Sequence, residues 1–474
     1  MLTYQDFEAV TDRERFIAEA IKEHMSSEEY LLALDADEYD KQRNITINNY
    51  IQMIFTAYGE PIEDFTASNN KITSNFFHRL NTQRCAYSLG NGVFFTDHVE
   101  KVVDEQGIER SIDRTKEKLG NKFDTDLKKV GYKALIHGVC FGFWNVNRLH
   151  VFPLTQFKPF WDEETGALRA GIRFWRLDPQ KPMIAVLYTE DGYTKYKSGD
   201  RDMDFTAVDT RPKPYRTVTA RTVADGEYIV GEMNYGSLPI VPLWGSDLHQ
   251  STLVGTREKI DSFDLIRSGF ANDLTDCAQI YWIMENYGGM STEELARWRD
   301  RMKITRIVTA DTDNGKVTPY TQDIPYQARQ AYLDSIRAGI YEDFGALDVH
   351  TVAAGATNDH IDAAYQPMDE NADDFEYQVI EFVQQVLRLM GVEDTPVFKR
   401  NRVSNQKEQT DMVLSAAEYL DQQTILQKLP FISVDEVQDI IARKDAEGQE
   451  RLDDSEDDNS EEIEVVEETE EVAP

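Results

Sequence analysis

Two helix-compatible runs separated by a 20-residue stretch of small and polar residues constrain this chain more than any other feature. The first run, Ala328 to Gly345, carries Tyr332, Ile336, Ile340 and Phe344 every four residues, which is the repeat of one helix face. The second, residues 366–391, sets Phe375, Val379, Phe382, Val383, Val386, Leu387 and Met390 at helical i, i+3, i+4 spacing. Pro367 suits its first turn, Asp369, Glu370, Asp373 and Asp374 complement the same dipole end, and Gly391 suits its stop. At about 1.5 Å per residue this helix spans roughly 35 Å. Between the runs, Ala346 to Tyr365 is rich in Ala, Thr, Asn, Asp and Gly and has no steady period. Structureless connections of roughly 20 residues are uncommon inside compact domains. The pattern therefore points to a moving segment on a stiff mount, or else to an ordinary surface excursion.

The 474 residues are 41% hydrophobic, enough to bury real cores in roughly two to four domains. Acids outnumber Lys and Arg by 86 to 50, for a formal charge of −36. Such a balance argues against a basic nucleic-acid clamp and against docking on an anionic membrane. No apolar run approaches bilayer length, and the N-terminus lacks the layout of a signal peptide, so a soluble chain is expected. Cys85, Cys140 and Cys277 are odd in number and widely spaced, giving neither a disulfide framework nor metal-ligand spacing; a reducing cytosol is the simplest setting.

Taken in order, residues 1–45 read as acidic helices, with Phe16, Ile17, Ala20 and Ile21 on one face and a capping box at Ser26 and Glu29. Helices are expected at Asn69–Leu89 and Lys122–His137, each ended by glycine. Strands are expected at Val139–Val146, Leu149–Pro153, Ala170–Arg176, Met183–Thr189 and Tyr193–Lys197, the last two joined by a tight turn at Glu190-Asp191-Gly192. Residues 46–250 thus read as α+β with a mostly antiparallel sheet, and Pro239 and Pro242 lead out of it. Ser251–Cys277 is again helical. A compact insert follows, with strands at Ile280–Glu285, Ile304–Ala310 and Lys316–Tyr320 and a short helix opened by Ser291 to Glu294. Residues 404–444 are helical with turns, and Asp453–Glu471 holds twelve acids without Lys or Arg, a composition that cannot collapse.

Chemistry-bearing motifs are scarce. Gly315-Lys316 lacks the earlier glycine of a phosphate-binding loop, and no G-x-G-x-x-G follows a strand, so no nucleotide cofactor is expected. Asp311-Thr312-Asp313-Asn314-Gly315 reads as a turn, because Gln322 stands where a calcium loop has its bidentate acid. His137 and Cys140 are three apart, but a helix-end histidine beside a buried cysteine is the plainer reading than a nucleophile pair. His350 and His360 lack a further ligand, so no metal is expected, and no carboxylate pair stands out as acid and base. Phe141, Phe143, Trp144, Phe152, Phe157, Phe160, Trp161, Phe174 and Trp175 have no interleaved basic residues and read as a sheet core, not a base-stacking platform. Arg297, Arg299, Arg301, Lys303 and Arg306 concentrate positive charge in the insert, a local reversal that points to a partner contact.

This succession of parts resembles the portal proteins of tailed bacteriophages, in particular those of long-tailed phages of Gram-positive hosts. Ala134-Leu135-Ile136-His137-Gly138, Leu149-His150-Val151-Phe152-Pro153 and Pro159-Phe160-Trp161-Asp162 resemble that family's wing. Asn401 to Glu408 and Leu420 to Glu436 resemble its crown. The resemblance implies an α+β portal-like fold: an N-terminal helical arm (1–45), a wing (46–250), stem helices (251–278 and 328–345) carrying an inserted small α/β clip (279–327), a tunnel loop (346–365), a long helix (366–391), a helical crown (392–444) and an acidic disordered tail (445–474). It implies a non-enzymatic ring, a dodecamer in the capsid, assembled in the host cytoplasm and resident at one virion vertex. Its channel would pass double-stranded DNA without sequence specificity during packaging and ejection. Its partners would be the terminase, head-completion and adaptor proteins, and the major capsid and scaffolding proteins. Within the loop, Val349, His350, Thr351, Val352, Ala353, Ala354, Gly355, Ala356, Thr357, Asn358 and Asp359 would face DNA. Tyr287, Arg297, Arg299, Arg301, Lys303, Arg306 and Lys316 would dock partners. Two other readings stand beside this one: a metal-dependent carboxylate hydrolase or nuclease using Asp348, Asp359 and Asp362, and an acidic assembly adaptor without a channel.

Overall fold

The computed structural model describes residues 2–55, 59–64, 68–103, 109–199, 203–222, 226–276, 281–285, 291, 293–294, 296–298, 316–320, 326–348, 358–401, 406–416, 425–426, 429 and 440. The chain divides into two compact units. One comprises Met1–Leu347 and Pro367–Asn401, the other Asp348–Gln366 and Arg402–Pro474.

The larger unit is layered, and strand alternation shows why. Its first sheet joins β1 (Val139–Asn145) and β2 (Arg148–Pro153) to the later β8 (Ile240–Trp244), in the order β8-β1-β2. Its second comprises β3 (Phe157–Trp161), β4 (Leu168–Trp175), β5 (Ile184–Thr189), β6 (Gly192–Ser198) and β7 (Phe205–Ala207), each antiparallel to its sequence neighbour. Along β1, Cys140 and Trp144 point into a core shared with helices, while Val139 and Phe141 point into one shared with the second sheet. Along β5, Val186 and Tyr188 face that same inter-sheet core, whereas Ala185 and Leu187 face outward. The outward face is covered by the N-terminal helices α1 (Tyr4–Ala9) and α2 (Arg13–Met25), through Phe7, Phe16, Ile17 and Ile21. The aromatic set thus forms a sheet core, with Phe141, Phe152, Phe157 and Phe160 fully buried.

The other side of the β8-β1-β2 sheet is covered by α4 (Phe76–Leu89), α5 (Phe123–His137) and the later part of α8 (Asn358–Met390). Phe375, Val379, Phe382, Val383, Val386 and Leu387 are all buried there, as their spacing required. Gly142 on β1 leaves room for the Phe382 ring, which a Cβ at that position would strike. Gly391 ends α8 with positive φ: its N–H donates to the Arg388 carbonyl (3.0 Å) and the Val392 N–H to that of Leu387 (3.0 Å).

Several expectations need correction. α8 begins at Asn358, so Pro367 lies inside it and the preceding loop is shorter than 346–365. A proline there costs about 3 kcal/mol or more through a lost hydrogen bond, and burial of Tyr365, Met368, Ala372 and Phe375 around it supplies the offset. The cap of α3 (Glu28–Asp40) is Ser27, which accepts from the Tyr30 N–H; Ser26 instead closes α2 by donating to the Lys22 and Glu23 carbonyls. Pro242 lies within β8, not beyond it. The Trp144 N–H to Pro239 carbonyl and Gly245 N–H to Gly138 carbonyl bonds turn odd-numbered residues toward β1, so the missing N–H of Pro242 falls on the open edge. The turn between β5 and β6 is Glu190-Asp191, with Gly192 already paired to Thr189. Pro396–Phe398 is a strand paired with Val93–Phe95. In the smaller unit, a helix covers Gln406–Ser415, with Met412 and Leu414 exposed. Ile304–Ala310 and Asp453–Glu471 lie outside the described residues.

Candidate functional site

The candidate residues of the larger unit lie on α6 (Arg257–Asp276), on a ribbon of β9 (Tyr281–Glu285) and β10 (Lys316–Tyr320) and on α7 (Tyr326–Asp343); those of the smaller unit lie at the start of α8. β9 pairs with β10 antiparallel from Tyr281↔Tyr320 to Glu285↔Lys316, so the insert leaves α6 and returns to α7 through one two-stranded neck. Asp313-Asn314-Gly315 and the expected strand at 304–310 lie outside the described residues.

α6 is seated by polar side chains. Asp261, Asp264, Ser268 and Asn272 recur every three or four residues and so share one face. Asp261 accepts from Tyr39 Oη (2.5 Å) and Thr46 Oγ1 (2.7 Å). Asp264 accepts from Asn44 Nδ2 (2.9 Å) and the Ser74 N–H (2.9 Å). Ser268 Oγ accepts from the Ile72 N–H (3.0 Å), and Asn272 Oδ1 from the Asn70 N–H (2.6 Å). Burial raises the pKa of Asp264, and hydrogen bonds from Asn44 and Ser74 oppose that rise. This ladder explains why α4 starts at Phe76 and not at Asn69. The N–H groups of residues 70, 72 and 74 alternate toward α6, which holds the segment extended.

α6 and α7 are clasped by Lys259–Asp343 and Arg329–Asp273 ion pairs. Between these, Ile260 and Phe263 pack with Leu333, Ile340 and Phe344, whereas Tyr332 and Leu274 are exposed. α7 ends with the Ala346 N–H on the Tyr341 carbonyl (2.9 Å). Asn371 Nδ2 then donates to the Phe344 carbonyl (3.4 Å), and Gln83 Nε2 to that of Leu347 (3.2 Å). The chain is therefore tied down up to the residue before Asp348.

Val349, His350, Thr351, Val352, Ala353, Ala354, Gly355, Ala356 and Thr357 lie outside the described residues. Asn358 and Asp359 open α8 and are helical instead of loop. Tyr287, Arg299, Arg301, Lys303 and Arg306 also lie outside. Arg297 is exposed, and Lys316 opens β10 opposite Glu285. Nearby, the Ser291 N–H donates to Glu294 (2.8 Å) and the Glu294 N–H to Ser291 Oγ (3.3 Å), a reciprocal helix cap.

The catalytic alternatives find no support in geometry. Asp359 and Asp362 are exposed on α8, and among the described residues no three His, Cys, Asp or Glu gather to hold a metal. His137 faces Asp37 through Nε2 (2.9 Å), while burial pushes the Cys140 thiol up to about 12, far from a thiolate nucleophile.

Sequence periodicity also missed Arg400. It donates to Asp369 (2.9 Å), to both Glu376 oxygens (3.1 and 2.9 Å) and to Asp373, and the bonds to Glu376 lead in raising its pKa. Two of the acids expected to serve a helix start, Asp369 and Asp373, thus bind one guanidinium together with Glu376 along the middle of α8. Their i, i+4 and i+7 spacing is the signal that was available.

No helix among the described residues is long and apolar enough to cross a membrane. The family model described as "Phage portal protein, SPP1 Gp6-like" matches residues 32–451. The portal protein of Bacillus phage SPP1 is 22% identical over 414 residues, covering 80% of this chain and 76% of that protein. The portal protein of Clostridium phage phiCD119 is 27% identical over 216 residues, covering 44% of this chain and 48% of that protein, about half its length. A chain from the neck of an empty GTA particle, computed with C6 symmetry, matches at a TM-score of 0.39 and 10% identity, covering 74% of this chain and 88% of that one; the score is too low to bear on the fold. With layered sheets, clasped helices and α8 all inside a family match running from residue 32 to residue 451, this chain belongs to the SPP1 Gp6-like family of phage portal proteins.

Proposed function

We propose that copies of this chain close into a ring at one capsid vertex, twelve in the assembled head, and that double-stranded DNA passes through the ring during packaging and ejection. The family match over residues 32–451 is the observation that carries this reading. The physical character of the chain agrees with it. A surface with a formal charge of −36 does not grip phosphates, which suits a conduit along which a duplex slides. A heterologous contact repeated about an axis closes into such a ring. The segment Val349–Thr357, with Asn358 and Asp359 at the helix start behind it, is the part we assign to the duplex. The insert beyond β9, with Tyr287, Arg297, Arg299, Arg301, Lys303, Arg306 and Lys316, is assigned to docking of the terminase and later of head-completion and adaptor proteins. Contacts with the major capsid and scaffolding proteins, assembly in the host cytoplasm and the absence of catalysis belong to the same reading.

The test is to replace Ala353, Ala354 and Gly355 together with leucine. DNA packaging should fall about tenfold or more while rings persist. Twelve copies of a 54.5 kDa chain exceed half a megadalton, so native mass reads ring integrity directly. Normal packaging by the triple variant would sink the loop assignment, and a monomer or dimer at every concentration would sink the ring.

A further inference from the structure

A second place on the larger unit reverses the charge of the chain. Residues 114–133 carry seven Lys or Arg against three acids, in a chain where acids lead 86 to 50. The last of these cations line the α5 side of a groove of about 530 Å³ between α4, α5 and β2. Cys85, Val151 and Pro153 make its floor, and Lys128, Lys129 and Lys133 its rim. Local acids engage two of the three rim lysines and leave the third, Lys128, to carry the charge of the groove. Lys129 meets Asp126 (3.0 Å), but Asp126 is nearly buried and is shared with Arg148 (3.3 Å). Lys133 meets both Asp37 (2.6 Å), which His137 also holds (2.9 Å), and Asp40 (3.9 Å). Lys128 is exposed, and its charge pulls against the burial that raises the Cys85 thiol.

We propose that this groove docks an acidic peptide segment of a partner protein, with an aliphatic side chain seated on the floor and carboxylates meeting the rim. Charge complementarity selects the occupant: an open apolar floor takes a Val, Ile or Leu side chain, and ammonium groups on a flexible rim take carboxylates. A nucleic acid would meet the rim but has no aliphatic group for the floor. The inference does not depend on ring closure or on the loop assignment.

The experiment titrates the purified full chain into a labelled short peptide alternating Glu with Val and Ile, read by fluorescence anisotropy. Saturable binding that weakens with salt is expected. Lys128→Glu should weaken it about tenfold by reversing one rim charge. Thr125→Trp, which fills the groove from an exposed position without changing charge, should weaken it by a similar factor. Peptides with Lys for Glu, or Ser for Val and Ile, should bind about tenfold more weakly. Native mass and thermal melting confirm that both variants stay folded. Unchanged affinity in Lys128→Glu would overturn the proposal. So would equal binding of the serine peptide, or a DNA duplex that binds more tightly than the peptide and ignores Thr125→Trp.

Discussion

Helix α6 and the later part of α8 both belong to the larger unit, and they are held in opposite ways. The later part of α8 lies on the β8-β1-β2 sheet through a continuous apolar face, with Phe375, Val379, Phe382, Val383, Val386 and Leu387 buried. α6 presents Asp261, Asp264, Ser268 and Asn272 to residues 39–74 and is seated by directional hydrogen bonds. Apolar burial is roughly proportional to area and indifferent to angle, so it stabilises without fixing register tightly. A hydrogen bond contributes little net energy but is costly when half-made, so the α6 ladder selects one register and penalises every other. The difference teaches that helix α8 is held chiefly by area and helix α6 chiefly by complementarity.

The largest effect should come from the apolar side. Phe382→Ala, which empties the space beside Gly142, should destabilise the chain by about 3–5 kcal/mol, nearly independent of pH, in urea melts. A loss as small as that of an exposed residue would break the contrast. Next comes Asp264→Ala, which leaves Asn44 Nδ2 and the Ser74 N–H without acceptors at a fully buried site. A cost of roughly 2–3 kcal/mol is expected, accompanied by faster amide exchange at Ser74. Destabilisation without a change at Ser74 would mean that the ladder does not seat that segment.

The smallest effect belongs to α3, whose Asp37 meets Lys133 and His137 of α5. Burial would raise the pKa of this carboxyl, yet the bonds and charges of His137 and Lys133 hold it down to about 2 from 3.8. A depressed carboxylate stabilises fully above its unfolded pKa, and that contribution fades as pH falls from about 4 toward 2. A shift of this size is worth roughly 2 kcal/mol. Asp37→Asn should therefore cost about that much at pH 7 and flatten the acid limb of the stability curve between those limits. An unchanged acid limb would remove Asp37 from the polar class.

Much of the layering was legible beforehand, because it follows from spacing. Phe123, Leu127, Val130 and Ala134 on α5 and the buried stripe of α8 declare their faces by helical repeat. The strands of the sheets declare themselves by aromatic and β-branched runs between turns. What was not legible has one common cause. Polar residues carry no period of their own until their partners are known, so Asn69 to Asn75 read as helix although α6 holds its N–H groups in extended chain. Likewise Asp369 and Asp373 read as helix-start acids until Arg400 was found against them. Of the candidate site, the two bracketing helices could be read, but the insert's neck could not, because β9 and β10 are joined across thirty residues of chain.

By itself, the amino-acid order determined which faces are apolar, where glycines stop helices, and how strongly acidic the chain is as a whole. Those properties are local or additive, and each residue contributes without knowing its neighbours in space. Tertiary structure alone decided that Pro367 sits inside a helix, that Pro242 occupies an open strand edge, and which polar groups meet which. Each of these choices is a balance between a local penalty and burial or bonding supplied by residues distant in the chain. Only the folded arrangement brings both sides of that balance together.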